Sequence, residues 1–229
     1  GCEALIRWPH PVKGMIPPGE FISIAEKSDI IHSLTQWVIS KVVWQCHQWL
    51  EVGISIPIAI NLSARNLVDL NCPQHLDSLL KEFNVPAELI EIEITESSLI
   101  GDPQRALDVV NVFRKLGLRL AIDDFGTGYS SLGQLRHYPI DTLKIDRAFI
   151  HDLDTSREDQ AISKAIISMS KTLGLTVVAE GVENARQMAF LRHYQCDQIQ
   201  GFFCHRPATA EQFIHWYRQQ QNTVLTTPL

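Results

Sequence analysis

Short apolar, β-branched runs alternate with longer helical patterns along most of this chain, and the alternation limits the folds that it can adopt. The short runs do not alternate strictly between polar and apolar residues, so they predict strands that are buried on both faces, as in a parallel sheet. The predicted strands are residues 2–8, 56–62, 90–95, 119–123, 142–145, 176–179 and 198–202. The predicted helices are residues 30–50, 103–116, 158–173, 184–194 and 211–220.

Seven strand-then-helix units favour a closed parallel barrel over an open sheet. Barrel closure usually takes about eight strands. We therefore predict an α/β fold of the (β/α)8 TIM-like barrel class, whose first strand lies before Gly1 and is missing from this chain. An open doubly wound sheet is the alternative, but its Gly-rich phosphate turn does not follow the first predicted strand. We expect one domain over residues 1–222 and a flexible tail over residues 223–229.

The bulk properties exclude several classes of protein. A formal net charge of −6 argues against duplex nucleic acid or an anionic membrane as a non-specific partner. The five cysteines are scattered without a Cys-x-x-Cys pair, which predicts a reducing, cytoplasmic location and neither a disulfide framework nor a zinc site. No apolar run reaches about 18 residues, so no membrane-spanning segment is predicted in this chain, although a longer protein could carry an anchor elsewhere.

Polar side chains stand near the carboxyl end of nearly every predicted strand. Because those ends face the same mouth in a parallel barrel, we expect these side chains to converge on one cavity. Each of them alone has a simpler structural explanation, such as a turn or an exposed strand edge, but their joint placement favours a functional site. The set consists of Glu3, Arg7, Asn61, Glu93, Glu96, Asp123, Asp124, Lys144, Glu180, Glu183 and Gln200.

This set is rich in oxygen ligands. Several carboxylates and one amide oxygen form a hard donor set that suits Mg²⁺ or Mn²⁺. The adjacent Asp123 and Asp124 could bridge two ions, an arrangement that metal-assisted phosphoester hydrolysis often uses. Lys144 would suit a phosphate or an attacking hydroxide. The alternation of Glu and Ile over residues 90–94 leaves open which face of that strand lines the barrel interior.

Seven short motifs, in order along the whole chain, make this sequence resemble the EAL domains, the phosphodiesterases of cyclic di-GMP. Glu-Ala-Leu alone would carry no weight, and the specificity lies in the order of the motifs and their positions at strand ends. The motifs are Glu3-Ala4-Leu5, Asn61-Leu62-Ser63, Glu93-Ile94-Thr95-Glu96, the Asp-Asp-Phe-Gly-Thr-Gly-Tyr-Ser-Ser run of residues 123–131, Leu143-Lys144-Ile145-Asp146, Ala179-Glu180-Gly181-Val182-Glu183 and Gln200-Gly201-Phe202.

The resemblance implies a modified (β/α)8 barrel with one antiparallel strand. It implies hydrolysis of one phosphodiester bond of cyclic di-GMP, which yields linear pGpG and requires Mg²⁺ or Mn²⁺. It also implies a homodimer, and sensory, receiver or GGDEF domains in the full-length protein. The family's opening helix and first strand, with a Gln-Pro pair at the substrate pocket, do not occur in this sequence.

The resemblance also assigns metal ligands by motif position. Asp123 would be shared between two ions. The full set of implied ligands is Glu3, Asn61, Glu93, Asp123, Asp124 and Glu180.

Other residues receive catalytic or substrate-binding roles from the same resemblance. Lys144 would position the hydrolytic water, Gln200 would assist through the water and metal network, and Glu96 would hold the loop of residues 125–131. Arg7 would contact a substrate phosphate. The expected substrate-binding residues are Leu5, Arg7, Glu183 and Phe202.

Two further functions compete with the phosphodiesterase. One is a catalytically inactive receptor or regulatory domain that binds cyclic di-GMP, because many relatives bind the nucleotide after losing metal ligands. The other is an interaction module that keeps the barrel only as a scaffold. Every implied ligand position is filled in this sequence, which favours the enzyme.

Overall fold

The fold is given by a computed structural model, which describes residues 1–127 and 137–226, with side chains described as far as residue 220. The strands are β1 (Cys2–Glu3), β2 (Trp8–His10), β3 (Gly14–Ile16), β4 (Ile58–Leu62), β5 (Ile90–Thr95), β6 (Arg119–Phe125), β7 (Thr142–Ile145), β8 (Thr176–Ala179) and β9 (Gln198–Ile199). The α-helices are α1 (Pro18–Ala25), α2 (Ile30–Glu51), α3 (Asn71–Glu82), α4 (Pro103–Lys115), α5 (Ala148–His151), α6 (Arg157–Thr172), α7 (Ala185–His193) and α8 (Ala210–Thr226).

Seven of these strands form one sheet in the order β1-β4-β5-β6-β7-β8-β9, and every neighbouring pair is parallel. Helices connect most successive strands of this sheet, as in a TIM-like barrel, which confirms the predicted fold class. The antiparallel strand implied by the family resemblance is not among these seven. The strands β2 and β3 form a separate antiparallel hairpin.

The strand β5 shows how the two faces of the sheet differ. Ile90, Ile92 and Ile94 are fully buried in the hydrophobic core, together with helix residues such as Phe113 of α4. Glu93 points to the opposite face, where its carboxylate meets Lys144 of β7. The face that the alternation pattern left open is therefore settled: the glutamate side lines the barrel interior.

Both ends of the sheet differ from the prediction. The first strand ends at Glu3 because its last main-chain bond to the sheet runs from the Ala4 N–H to the Ala59 carbonyl, and the chain then turns away. Trp8 instead pairs with Ile16 in the hairpin and packs edge-on against Phe21. The strand β9 is similarly short, whereas β6 continues through both aspartates to Phe125.

Three helices were not predicted from the sequence. The helix α3 carries the buried Cys72, Leu76 and Leu80 at a spacing of four residues, a helical signal that was present in the sequence. Neither α1 nor the four-residue α5 was predicted.

The carboxyl-terminal helix α8 continues past residue 222, and residues 227–229 lie outside the described part. The domain boundary at residue 222 therefore stays a prediction. No helix in the described ranges combines the length and apolarity needed to cross a bilayer. All five cysteines are unpaired thiols.

Candidate active site

A single ammonium group stands at the centre of the predicted site. Lys144 projects from the middle of β7 into the barrel, and its side chain is only 2% exposed. Its Nζ lies 2.6 Å from a carboxylate oxygen of Glu180 and 2.7 Å from one of Glu93. Carboxylate oxygens of Asp123 and Glu3 follow at 3.4 Å and 3.9 Å. Four strands or strand ends thus deliver acids to one lysine, as expected for the mouth of a parallel barrel.

Glu3 joins three separate parts of the sheet. Its Oε1 accepts a hydrogen bond of 2.6 Å from the Asn61 amide at the end of β4. Its Oε2 accepts one of 2.6 Å from the Gln200 amide, just after β9. Since β1 and β9 are the two end strands of the sheet, the bond to Gln200 links the carboxyl ends of the first and last strands.

The paired aspartates occupy an irregular turn of β6. The register between β6 and β7 shifts between Ile122 and Phe125, so a β-bulge contains Asp123 and Asp124. Asp124 adopts a positive φ of 54°, a left-handed conformation that aspartate tolerates better than most residues. The bulge allows consecutive side chains to face the same cavity. One oxygen each from Asp123, Asp124 and Glu180 lies within 4.8 Å of the other two.

The pKa values in this cluster depend mainly on burial. Burial raises the pKa of Glu93 to about 8, of Glu180 to about 7 and of Asp124 to about 6. The Lys144 ammonium opposes these increases. For Lys144 itself, burial acts to lower the pKa, but the surrounding carboxylates outweigh burial and raise it. The lysine therefore stays charged, and one ammonium faces more acids than it can neutralise.

The acidic cluster fits a divalent cation. The Oε2 atom of Glu93 is buried and has no hydrogen-bond partner among the residues that the structure describes. A buried carboxylate oxygen without a partner is costly, and a bound cation would remove that cost. The surrounding atoms are carboxylate and amide oxygens, the hard ligands that Mg²⁺ and Mn²⁺ prefer.

Glu96 contacts the loop that follows β6. Its Oε2 accepts a hydrogen bond of 3.1 Å from the Gly126 N–H. Gly126 has a φ of 102°, and a Cβ atom there would lie 2.7 Å from the ring of Phe149 in α5, so only glycine fits this contact. The rest of the loop that Glu96 was expected to hold, residues 128–131, lies outside the described residues.

The expected substrate-binding residues fall into two groups. Leu5 and Arg7 line a cavity of about 300 Å³ that also touches Asn61, and Leu5 is 44% exposed. Glu183 and Phe202 are exposed on the loops after β8 and β9. Within residues 1–127 and 137–220, neither forms an ion pair or a hydrogen bond with the acidic cluster through its side chain. The ring of Phe202 instead packs under the Arg206 guanidinium, 4.4 Å from its centre.

The comparisons with known proteins agree with this arrangement. The sequence matches the EAL domain family over residues 1–207. This chain belongs to the EAL domain family. It is 43% identical to the cyclic di-GMP phosphodiesterase PdeR of Escherichia coli strain K12, over 95% of the chain and 33% of PdeR. It is 41% identical to the bifunctional diguanylate cyclase/cyclic di-GMP phosphodiesterase MucR of Pseudomonas aeruginosa PAO1, over 93% of the chain and 31% of MucR.

The solved structures show the same family relationship. The PaMucR phosphodiesterase in complex with cyclic di-GMP superposes on this EAL domain with a TM-score of 0.88 and 39% identity. The match covers 92% of this chain and 86% of that one. The curated relatives PdeR and MucR are about three times as long as the chain, which spans 33% and 31% of them.

One residue of the EAL domain's site received no role from the sequence. Burial raises the pKa of Asp124, and the neighbouring carboxyl group of Asp146 raises it further. Asp146 directly follows β7 and lies two residues after Lys144, a spacing that places both side chains on one face where the chain stays extended. That spacing was visible in the Leu143-Lys144-Ile145-Asp146 motif and could have identified Asp146 as a neighbour of the paired aspartates.

Proposed function

We propose that this EAL domain hydrolyses one phosphodiester bond of cyclic di-GMP to linear pGpG and that it depends on Mg²⁺ or Mn²⁺. The observation that carries the proposal is the buried cluster in which Lys144 is surrounded by four carboxylates and Glu93 keeps an unsatisfied oxygen. A non-catalytic scaffold has no need for so many buried acids around one cation, because their repulsion costs stability. The names of PdeR and MucR supply the substrate.

The metal ligands that we propose divide into two groups that share Asp123. The first group consists of Glu3, Asn61, Glu93 and Asp123, and the second of Asp123, Asp124 and Glu180. Because the amide nitrogen of Asn61 donates to Glu3, its amide oxygen is the atom that remains as a ligand. Bound ions would neutralise the acids, polarise the substrate phosphate and lower the pKa of a bound water toward neutrality.

Lys144 acts in this proposal as a permanent cation. The carboxylates around it raise its pKa, so the ammonium keeps its proton at neutral pH in the metal-free protein. It donates hydrogen bonds that orient the attacking water and stabilises negative charge that develops on the phosphate. Gln200 contributes through Glu3, whose orientation it holds with a bond of 2.6 Å. Glu96 holds the start of the loop after β6 through Gly126.

The substrate would lie across the mouth of the barrel. We assign a substrate phosphate to Arg7, whose guanidinium is exposed beside the cavity that Leu5 lines. We assign the guanine and sugar to Glu183 and Phe202, which are exposed on the loops after β8 and β9. These exposed side chains are available to a ligand that enters from solvent.

The proposal is tested by incubating the protein with cyclic di-GMP and Mn²⁺ or Mg²⁺ and separating the products by chromatography. We expect pGpG with either ion and none after the metal is chelated. The Glu3→Ala variant should lose essentially all turnover, because it removes one metal ligand and the acceptor of the hydrogen bonds from the Asn61 and Gln200 amides. The control Glu88→Ala, at an exposed residue, should keep wild-type turnover. Binding of cyclic di-GMP without pGpG would identify a receptor, and neither binding nor turnover would leave a scaffold.

We also propose that the domain works in the cytoplasm as a homodimer, within a longer protein that carries sensory, receiver or GGDEF domains. The length of the relatives and the bifunctional name of MucR support the further domains, whereas the dimer and the location rest on the family resemblance and the scattered cysteines. Light scattering of the purified chain would test the dimer, and a monomer at micromolar concentration would contradict it.

A further inference from the structure

A buried glutamine connects two loops of the site. Gln187 lies in the first turn of α7 and is 1% exposed. Its Nε2 donates to the main-chain carbonyls of Ile150 at 3.0 Å and His151 at 2.9 Å. Its Oε1 accepts from the N–H groups of Glu183 at 2.7 Å and Asn184 at 3.1 Å. Both N–H donors and the acceptor oxygen of this amide are therefore used, and all of their partners are main-chain groups.

The two pieces of main chain lie in, or a few residues after, neighbouring catalytic motifs. Ile150 and His151 end α5, which follows the strand that carries Lys144. Glu183 ends the motif that begins with Glu180, directly after β8. The side chain of Gln187 is thus a bridge between the segments that follow β7 and β8.

The two segments are packed closely where they pass each other. The Glu180 N–H donates to the Ile145 carbonyl at 3.1 Å. Gly181 has a φ of 69°, and a Cβ atom there would lie 2.6 Å from the Cβ of Arg147. Gln187 holds the N–H of Glu183, which lies three residues after Glu180. The Glu180 carboxylate is 2.6 Å from the Lys144 Nζ. A shift of either segment would change the distance between the glutamate and the lysine.

We propose that Gln187 is a positioning residue, which sets the carboxylate of Glu180 relative to Lys144 and the other acids by joining the segment after β8 to the end of α5. The inference rests on the proposed function, because it takes Glu180 as a ligand of the metal. The simpler explanation is that Gln187 serves only its own helix, since with Asn184 it forms a capping box.

The substitution Gln187→Glu separates these two roles. Glutamate serves as well as glutamine at the third position of a capping box, so the helix start and the two bonds from Glu183 and Asn184 are kept. A carboxyl group donates at most one hydrogen bond, and none when it is charged, so the bridge to the carbonyls of Ile150 and His151 is broken or halved. The added negative charge would by itself favour cation binding, so any weakening of that binding reports on position and not on charge.

The experiment is a calorimetric titration of the protein with Mn²⁺ alone. We expect Gln187→Glu to weaken Mn²⁺ binding about tenfold or more, the range seen when partners behind metal ligands are removed. The nearly isosteric Gln187→Met, which removes the same donors without adding charge, should weaken it as well. Circular dichroism establishes which variants are folded, and a folded variant of either kind that binds Mn²⁺ as tightly as the wild type overturns the proposal.

A matched control lies on the preceding helix. Gln160 of α6 also donates from Nε2 to a main-chain carbonyl, that of Leu153 at 2.9 Å, but within the described ranges it forms no hydrogen bond to the segment after β8. Gln160→Glu should therefore leave Mn²⁺ binding unchanged, and equal weakening in this control would also overturn the proposal. If the wild type binds Mn²⁺ but makes no pGpG, the proposed function fails and this inference survives. If the wild type does not bind Mn²⁺, both fail.

Discussion

Lys144 is a buried lysine that keeps its proton because of its neighbours. Burial alone would favour the neutral amine, and Glu93, Glu180, Asp123 and Glu3 reverse that preference. The same acids repel one another, since a single ammonium cannot compensate them all. The residues of the site therefore suit a bound cation better than they suit the metal-free protein.

The substitution Glu93→Gln tests this balance at a single residue. We expect weaker Mn²⁺ binding by at least about tenfold, because a charged ligand is lost. We expect the metal-free variant to melt at the wild-type temperature or above it, because a buried carboxyl group that resists ionisation is replaced by a neutral amide of nearly the same shape. Calorimetry and thermal melting measure the two effects.

The matched control for this variant is Glu91→Gln. Glu91 lies two residues earlier on the same face of β5 and is also partly buried, but it forms no ion pair with Lys144 within the described chain. Mn²⁺ binding should be unchanged in this control. Equal loss in both variants would show that the site responds to general negative charge and not to Glu93 as a ligand.

At the level of whole elements, the two ends of the strands serve different purposes. Asp141 precedes the amino end of β7, and its carboxylate accepts a hydrogen bond of 3.1 Å from the Leu120 N–H of β6. Asp197 precedes β9, and its carboxylate accepts one of 2.8 Å from the Val177 N–H of β8. Arg114 adds two bonds to Asp141 at 2.7 Å and 2.8 Å. These contacts lie at the end opposite the acids, where a parallel barrel keeps its stability.

The substitution Asp141→Ala should separate stability from activity. We expect the free energy of unfolding to fall by about 1–3 kcal/mol, because a main-chain N–H loses its charged acceptor. Turnover per folded molecule should stay at the wild-type value. Urea unfolding and the pGpG assay measure these quantities, with the exposed Asp154→Ala as control. Loss of turnover without loss of stability would place Asp141 in the site.

In the whole molecule, a hydrogen bond between side chains links the two end strands of the sheet. The strands β1 and β9 end the sheet, and Glu3 connects them by accepting from Gln200. The strand β1 itself is only two residues long and has few main-chain bonds to β4. The attachment of the first segment therefore relies on this side-chain contact as well as on the short ladder.

The variant Gln200→Ala should loosen that segment selectively. We expect faster amide hydrogen exchange over residues 1–7 and unchanged exchange in β5 and β6, which are central in the sheet. Mass spectrometry of exchanged peptides measures the effect. The control is Gln198→Ala, since Gln198 is exposed on β9. Uniform acceleration across the sheet would contradict the local role.

Metal binding should stabilise the whole domain. A ligand that binds only the folded state at about one hundred times its dissociation constant adds about 2.7 kcal/mol to the free energy of unfolding. We expect this increase from Mn²⁺ in the wild type and a smaller one in Glu93→Gln at the same concentration. Urea unfolding with Mn²⁺ and with chelator provides the measurement. An unchanged midpoint in the wild type would argue against a bound ion.

The sequence was sufficient for the number and order of the central strands. Runs such as β4 and β8 are short, rich in β-branched residues and mainly apolar, and that local composition decides that they are buried strands. The bounds of β1 and β9 could not be read in the same way. Both stop where the chain turns away from its partner strand, and the position of that partner is a property of the sheet and not of the local residues.

The amino-acid sequence by itself determined the parallel barrel class, the family and the types of side chain that reach the mouth, because periodicity and motif order are local and survive without coordinates. Only the tertiary structure decided that Lys144 is the common neighbour of four acids. It also decided that Asp123 and Asp124 both face one cavity because of a bulge, and that Gln187 joins two loops. Contacts between residues far apart in the chain depend on how strands and helices pack, and no local pattern contains that information.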